Sequence, residues 1–241
     1  MAILFDLDDT LLDDRGAQEA YLGDLYSNHR SEIQRSEADF RLEWRRAIDR
    51  HFQRYVKGEI SLAEQRRARV RDAFDGPAMT DVAADRIVSE FIAGYEASWR
   101  LFPDVLSALD HLKSIPLGII TNGNPDQQRA KLRRTGILDR FAIVVVSEEV
   151  GHAKPSARIF HHACNQLGRE PMDCVFVGDD WEKDVEGARG AGLRPIWMSR
   201  FGGHIDRGNA PIPTIGSLLE IIARDDLRTF AGIDRLVVPE S

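Results

Sequence analysis

A chain of 241 residues, 43% of them hydrophobic, has ample apolar surface for a large core, which excludes a disordered chain. Its 39 acidic against 32 basic side chains argue against a dedicated nucleic-acid binder, and two cysteines, Cys164 and Cys174, are too few for a disulfide scaffold and lack metal-ligand spacing. The N-terminal apolar run is too short for a signal peptide, and no apolar run approaches the roughly 18 residues that span a bilayer, so a soluble chain of the reducing cytoplasm is expected, with both thiols in the core.

The chain opens with four apolar residues, Ala2 to Phe5, that run directly into Asp6-Leu7-Asp8-Asp9-Thr10. Strand interiors reject charge and like charges repel, so a strand is predicted at 2–5 whose carboxylates stand at its exit beside something cationic. Residues 15–98 hold no comparable strand. Apolar residues there recur at helical spacing: Phe40, Trp44, Ala47, Ile48, Phe52, Tyr55, and then Ala84, Ile87, Phe91, Tyr95, Trp99. Ser61 with Glu64 forms a capping-box pattern and Thr80 suits an N-cap, so four helices are predicted. A helical block of about eighty residues between the first two strands is too long for an ordinary crossover. It is therefore assigned to a separate inserted cap, residues 15–99, entered near Asp13 to Gly16 and left near Leu101 to Asp104. Residues 41–72 reverse the overall charge balance, a pattern that suits a solvated face better than a phosphate-attracting lid. Phe40, Trp44, Tyr95 and Trp99 suit bundle core better than a platform for a nucleobase.

From Pro103 onward short β-rich runs at 116–120, 142–146, 174–178 and 194–198 alternate with helices near 103–113, 125–135, 156–168 and 183–191. This is βαβ texture, and it predicts an α/β core with a Rossmann-like parallel sheet covered on both faces, built from 1–14 and 100–241. The stretch DRGNAPIPT at 206–214 is a surface connection, and the tail after Arg224, ending DRLVVPES, is left between an edge strand and a segment packed across the core.

Ligands of open parallel sheets bind outside the carboxyl ends of the strands, near the point where connections reverse. Four strand ends carry polar punctuation here: Asp6 to Thr10, Thr121-Asn122-Gly123, Lys154-Pro155, and Gly178-Asp179-Asp180 followed by Asp184. Each alone reads as readily as a turn or a solvated side chain, but their order along one alternating sheet points to a single site. The set DLDDT, ITNG, HAKP and GDDWEKD resembles the haloacid dehalogenase superfamily of phosphotransferases, across 1–14 and 100–200, with the helical block where that family places a cap. The run TNGNPDQQRAKLRRTGILDRF followed by VSEEVGHAKPSARIF is most similar to its nucleotidase-like phosphatases, among them pyrimidine 5′-nucleotidases and N-acylneuraminate 9-phosphate phosphatases.

The resemblance implies, and the chemistry of the residues permits, an aspartyl-phosphate mechanism. Asp6 is the candidate nucleophile, and Asp8, two residues on, the acid for the departing alkoxide and then the base for water. Dianionic phosphate cannot approach such carboxylates unaided, so Mg²⁺ is expected on Asp6, Asp179 and the Asp8 carbonyl, with Asp184 facing it directly or through water. Asp9 is assigned to a turn or an outer position, Thr10 to ordering the loop, and Asp180 to solvent or an outer position. Thr121, Asn122 and Gly123 are candidate phosphate contacts, with Asn124-Pro125 opening a helix toward the same rim. Lys154 offers the compact cation that offsets Asp6 and the transferring group. The expected partner is a small phosphorylated metabolite, nucleoside monophosphates first, with neither a nucleic-acid polymer nor a membrane, and the chain acting as a monomer or homodimer. A sugar-phosphate phosphatase or phosphomutase remains an alternative. A 2-haloacid dehalogenase needs neither the acid nor the magnesium ligands; a signalling receiver or binding module would have no use for the helical block.

Overall fold

The computed structural model describes residues 1–76, 78–202 and 212–233. The chain divides into two compact units, Met1–Asp13 with Arg100–Ser241, and Asp14–Trp99.

The first unit is an α/β sandwich on one six-stranded sheet. Its strands are β1 (Ala2–Phe5), β2 (Leu117–Thr121), β3 (Ile143–Val146), β4 (Cys174–Gly178), β5 (Arg194–Met198) and β6 (Thr214–Ile215). All pair in parallel, in the order β3-β2-β1-β4-β5-β6. Between and after them run α5 (Val105–His111), α6 (Pro125–Arg134), α7 (Ser147–Val150), α8 (Ala157–Gln166), α9 (Gly187–Gly190), α10 (Leu219–Ala223) and α11 (Asp225–Ala231). Strands covered on both faces must be apolar throughout, and every residue of β1, β2 and β4 is buried. On one face Leu4, Ile120, Val145 and Phe176 pack with Ile159, Phe160, Ala163 and Cys164 of α8. Each large apolar side chain buried here contributes on the order of 1.5–3 kcal/mol, and both cysteines are buried free thiols. The chain leaves β1 for β2 and β3 on one side and returns to β4 and β5 on the other, so the connections reverse at β1.

The observed strands lie within one residue of those read from the sequence. Helical structure expected at 183–191 starts earlier, with a wide π-type turn at Trp181–Glu186 ahead of α9. β6, α10 and α11 were not foreseen. Of the connection at 206–214, residues 206–211 lie outside the described residues and Thr214 opens β6; the DRLVVPES segment, 234–241, also lies outside them. The two crossings between units are tied together within the first unit: Leu12 bridges Leu101 antiparallel, and the Asp13 N–H donates to the Arg100 carbonyl at 3.0 Å.

The second unit consists of α1 (Asp14–Asn28), α2 (Glu37–Val56), α3 (Leu62–Ala73) and α4 (Asp81–Ala97). Their starts follow the sequence cues. Ser36 and Thr80 accept from backbone N–H groups three residues on, and Ser61 with Glu64 closes a full capping box. Phe40, Trp44, Ile87, Phe91 and Tyr95 are buried, as their helical spacing requires. On α2 the buried line runs Phe40, Trp44, Ala47, His51, so His51 occupies the place where the sequence suggests Phe52; its Nε2 lies 2.8 Å from Asp72 Oδ2, which satisfies one ring nitrogen. α1 and α4 approach closely at Gly94, where an added Cβ would fall 2.0 Å from the Tyr21 ring.

Candidate active site

Because β1 sits between β2 and β4, the three strand ends converge. Asp6 follows Phe5 directly and its N–H donates to the Val177 carbonyl at 2.9 Å, which fixes it at the sheet rim. The chain then turns through Asp9, whose φ of 59° lies in the left-handed region that aspartate tolerates, and the Asp9 N–H donates to the Leu12 carbonyl. Of the two places expected for Asp9, a turn or an outer position, it takes the turn. The turn buries Thr10, whose hydroxyl stands 3.3 Å from Asp6 Oδ2 and 3.4 Å from Asp179 Oδ1.

Lys154 reaches the same point from the loop between α7 and α8. Its Nζ lies 2.5 Å from Asp6 Oδ1 and 2.7 Å from Asp184 Oδ1. Asn122 holds this loop in place: its Nδ2 donates to the Lys154 carbonyl at 3.0 Å and its Oδ1 accepts the Lys154 N–H at 2.8 Å. The Gly123 N–H donates to Ser147 Oγ at 3.0 Å, and Asn124 caps α6 with Pro125 in the first turn.

At the end of β4, Trp197 Nε1 donates to the Asp179 carbonyl at 2.8 Å. Asp180 starts the wide turn, accepting the Lys183 N–H at 2.9 Å and pairing with the Lys183 ammonium, while its own N–H donates to Asp184 Oδ2 at 3.0 Å. Burial alone would raise the Asp180 carboxyl, but these Lys183 bonds outweigh it and hold it below the ordinary value. The turn carries Asp184 back over Gly178. A Cβ at 178 would lie 2.4 Å from Asp184 Oδ2, so only glycine leaves room for that carboxylate.

Asp6, Asp179 and Asp184 each present an oxygen within 4.8 Å of the others. Asp184 is 1% exposed; its Oδ1 is buried and faces the Lys154 ammonium without a well-formed hydrogen bond. Burial pushes Asp6 up to about 6 against the pull of Lys154, and burial followed by repulsion from Asp6 and Asp184 pushes Asp179 up to about 9. Burial pulls the Lys154 ammonium down, but Asp184 and Asp6 more than reverse this and hold it charged. One ammonium cannot neutralise three carboxylates. The set is short of positive charge and made only of hard oxygen donors, so it fits a divalent cation of the Mg²⁺ type.

Two residues that sequence reasoning passed over hold Asp8. Lys131 Nζ of α6 lies 2.6 Å from Asp8 Oδ1, with the lysine side chain 3% and the aspartate side chain 30% exposed. Gln128 Nε2 donates to Asp8 Oδ2 at 2.9 Å and to Thr121 Oγ1 at 2.6 Å, linking the ends of β1 and β2. The only sequence signal was their i, i+3 spacing, which puts both on one face of α6. A third such residue is Arg200, beyond β5. It donates to the Thr10 carbonyl at 2.8 and 3.1 Å and to both oxygens of Asp104 at 2.8 Å, and its guanidinium stacks 4.3 Å over the Phe102 ring.

A parallel sheet that reverses at its third strand, with an aspartate nucleophile candidate, a buried lysine and a metal-competent carboxylate set at the carboxyl rim, defines a Rossmann-like α/β core of the phosphoryl-transfer type. The family model for haloacid dehalogenase-like hydrolases matches residues 1–192, and the chain belongs to that family. It is 31% identical to a phosphoserine phosphatase of Thermus thermophilus, over 93% of this chain and 99% of that protein. It is 40% identical to the pyrimidine 5′-nucleotidase YjjG of Escherichia coli over 49% of this chain and 54% of that one. Among solved structures, the putative HAD-hydrolase YfnB of Bacillus subtilis shares the fold with a TM-score of 0.76 at 22% identity, over 92% of this chain and 96% of that chain. Among the described residues, no helix is long and apolar enough to cross a membrane.

Proposed function

We propose that the chain is a magnesium-dependent phosphatase that hydrolyses a small phosphorylated metabolite through an aspartyl-phosphate intermediate. The observation that carries this reading is the convergence of Asp6, Asp179 and Asp184 on one point with the Lys154 ammonium against two of them. Phosphate-monoester hydrolysis is among the slowest uncatalysed reactions, so on the order of 20 kcal/mol of transition-state stabilisation is required.

Asp6 attacks phosphorus, forming the Oδ–P bond as the ester P–O bond breaks, and the pair of electrons leaves with the alkoxide. Asp8 protonates that alkoxide, then takes a proton from the water that cleaves the acyl phosphate, so one carboxyl serves both halves. Gln128 and Lys131 hold Asp8 in place for this. Lys154 offsets charge on Asp6 and the transferring group; the Thr121 hydroxyl and the Asn122 N–H bind phosphate oxygens, with Gly123 shaping the turn. Asp6, Asp179, Asp184 and the Asp8 carbonyl would hold Mg²⁺, which supplies charge neutralisation and in-line orientation when bound.

The relatives named above support phosphate esters of small metabolites. They include both a nucleotidase and a phosphoserine phosphatase, so nucleoside monophosphates and o-phosphoserine head the list of substrates. A 2-haloacid dehalogenase of Pseudomonas syringae is also a structural neighbour, 27% identical with a TM-score of 0.65. That reaction gives no task to Asp8 with its two partners or to the acidic set. Phosphate release from a panel of metabolite esters, with and without Mg²⁺, tests the proposal. Turnover that needs both Mg²⁺ and Asp6 supports it; halide release from 2-chloropropionate with no phosphate release overturns it.

A further inference from the structure

The side chain of Arg200, just past β5, is only 5% exposed. A buried charge is tolerated where its partners are fixed, and those of Arg200 are. Asp104, which takes Nη1 on both oxygens, also accepts from Ser217 Oγ at 2.8 Å and from the Leu218 N–H at 2.6 Å, so it is held from two sides. The Phe102 ring covers one face of the guanidinium, and the Phe102 N–H is itself fastened to the Leu11 carbonyl at 3.0 Å. This anchor aims the remaining edge of the fork, Nε and Nη2, at a single atom, the Thr10 carbonyl oxygen. Every partner belongs to the first unit.

That atom lies in the turn that follows the nucleophile candidate. The Leu11 N–H, on the same peptide as the Thr10 carbonyl, donates to the Leu7 carbonyl at 3.0 Å, so this peptide is held at both ends, by Leu7 and by Arg200. Its orientation sets where the Thr10 side chain points. The Thr10 hydroxyl stands 3.3 Å from Asp6 Oδ2 and 3.4 Å from Asp179 Oδ1, close to the outer limit of a hydrogen bond. A shift of a few tenths of an ångström at ~3.4 Å therefore loses the contact. The two carboxylates repel, with oxygens within 4.8 Å of one another, and the hydroxyl is a neutral group that touches both.

We infer that Arg200 is a positioning residue for Asp6 and Asp179, acting through the carbonyl and hydroxyl of Thr10 and not by contact with substrate or cation. The inference rests on the phosphatase reading and adds to it a residue outside the carboxylate set on which the geometry of that set depends. The competing role, in which Arg200 only ties the turn, Asp104 and the segment after β6 together, lowers the melting temperature and changes nothing at the site.

Two quantities separate these roles. One is the affinity for Mn²⁺, which shares the oxygen-ligand preference of Mg²⁺, read from the spin-resonance signal of the free ion. The other is kcat/KM for phosphate release from p-nitrophenyl phosphate at saturating Mg²⁺, which reports attack by Asp6. In Arg200→Met the Mn²⁺ Kd should rise and kcat/KM should fall, each by about fivefold or more, as the loss of charge-assisted bonds to one carbonyl allows, and Arg200→Lys should lie between it and wild type. Because the effect runs through Thr10, adding Arg200→Met to Thr10→Val should change both quantities by less than about twofold, the mark of coupled residues. Melting curves show that each variant is folded at the assay temperature; if Arg200→Met does not fold, Arg200→Lys carries the same comparison in both backgrounds. A lower melting temperature with Mn²⁺ affinity and kcat/KM close to wild type overturns the proposal, and so does an equal loss in the wild-type and Thr10→Val backgrounds. Coupled loss of Mn²⁺ affinity with no phosphate release from the wild-type chain would retain the role of Arg200 and refute the phosphatase reading; phosphate release from the wild-type chain with uncoupled variants would refute the role of Arg200 alone.

Discussion

Removing the charge of Lys131 isolates the role of Asp8. In Lys131→Met, Asp8 keeps its bond from Gln128 but loses the ammonium 2.6 Å from Oδ1. Hydrogen bonds to charged groups contribute about 1.5–3 kcal/mol; with the Asp8 side chain 30% exposed, solvent screening brings the expected loss to about 1–2 kcal/mol. That energy holds the carboxyl toward the leaving oxygen, so kcat/KM, which reports steps only through departure of the leaving group, falls roughly 5- to 30-fold at 1.4 kcal/mol per decade. The loss should depend on the leaving group. An alkoxide needs a proton, so glycerol 3-phosphate should show the whole effect; p-nitrophenolate leaves unaided, so kcat/KM for p-nitrophenyl phosphate should change by less than about twofold, while kcat, which includes the water attack that Asp8 also serves, can fall on both. Initial rates at substrate well below KM and saturating Mg²⁺, beside a melting curve of the variant, read both. An equal fall in kcat/KM on the two esters, or no fall on the alkyl ester, would refute the assignment of Lys131 and Gln128 to holding the acid.

Gly178→Ala drives a Cβ to 2.4 Å from Asp184 Oδ2, so Asp184 must shift; the Mg²⁺ concentration for half-maximal activity should rise several-fold, with about 1–3 kcal/mol of overpacking cost in denaturant titration. Chelation of divalent cations should abolish turnover, and added Mg²⁺ should restore it. The Asp104 carboxyl gives a pH signature. Burial alone would raise it, but the Arg200 bonds, Ser217 and the Leu218 N–H outweigh burial and hold it below its ordinary 3.8. A depressed carboxyl stabilises the fold above its unfolded pKa and loses that contribution as pH falls through the folded value. The melting temperature of wild type should therefore exceed that of Asp104→Asn most above about pH 4, and the gap should shrink at lower pH.

The sheet and the outline of the site were legible because both follow from rules of short range. Continuous apolar runs mark strands buried on both faces, and polar residues just past them mark the rim, which gave Asp6, Thr121, Lys154, Asp179 and Asp184. The residues that fix these side chains were not legible. Gln128 and Lys131 lie in the polar run PDQQRAKLRR, whose composition reads as solvated, and only the packing of α6 on the sheet end buries them. Arg200 acts across about a hundred residues of sequence on Asp104 and nearly two hundred on Thr10, a separation no local pattern carries. β6 is two residues long and leaves no periodicity to detect. On the helical unit, the charge excess at 41–72 reads as a solvated face, and for Arg67 and Arg71 it is one; Arg69 departs from it because the register of α3 turns that residue between Trp44 and Phe91.

Trapping the covalent intermediate addresses the nucleophile itself. Wild-type chain, quenched during turnover with Mg²⁺ and treated with hydroxylamine, should carry a hydroxamate on Asp6 in the N-terminal peptide, identified by mass spectrometry, and Asp8→Asn should accumulate more of it when water attack is slowed. Steady turnover with Asp6 unmodified, or the adduct on another carboxylate, would contradict the account.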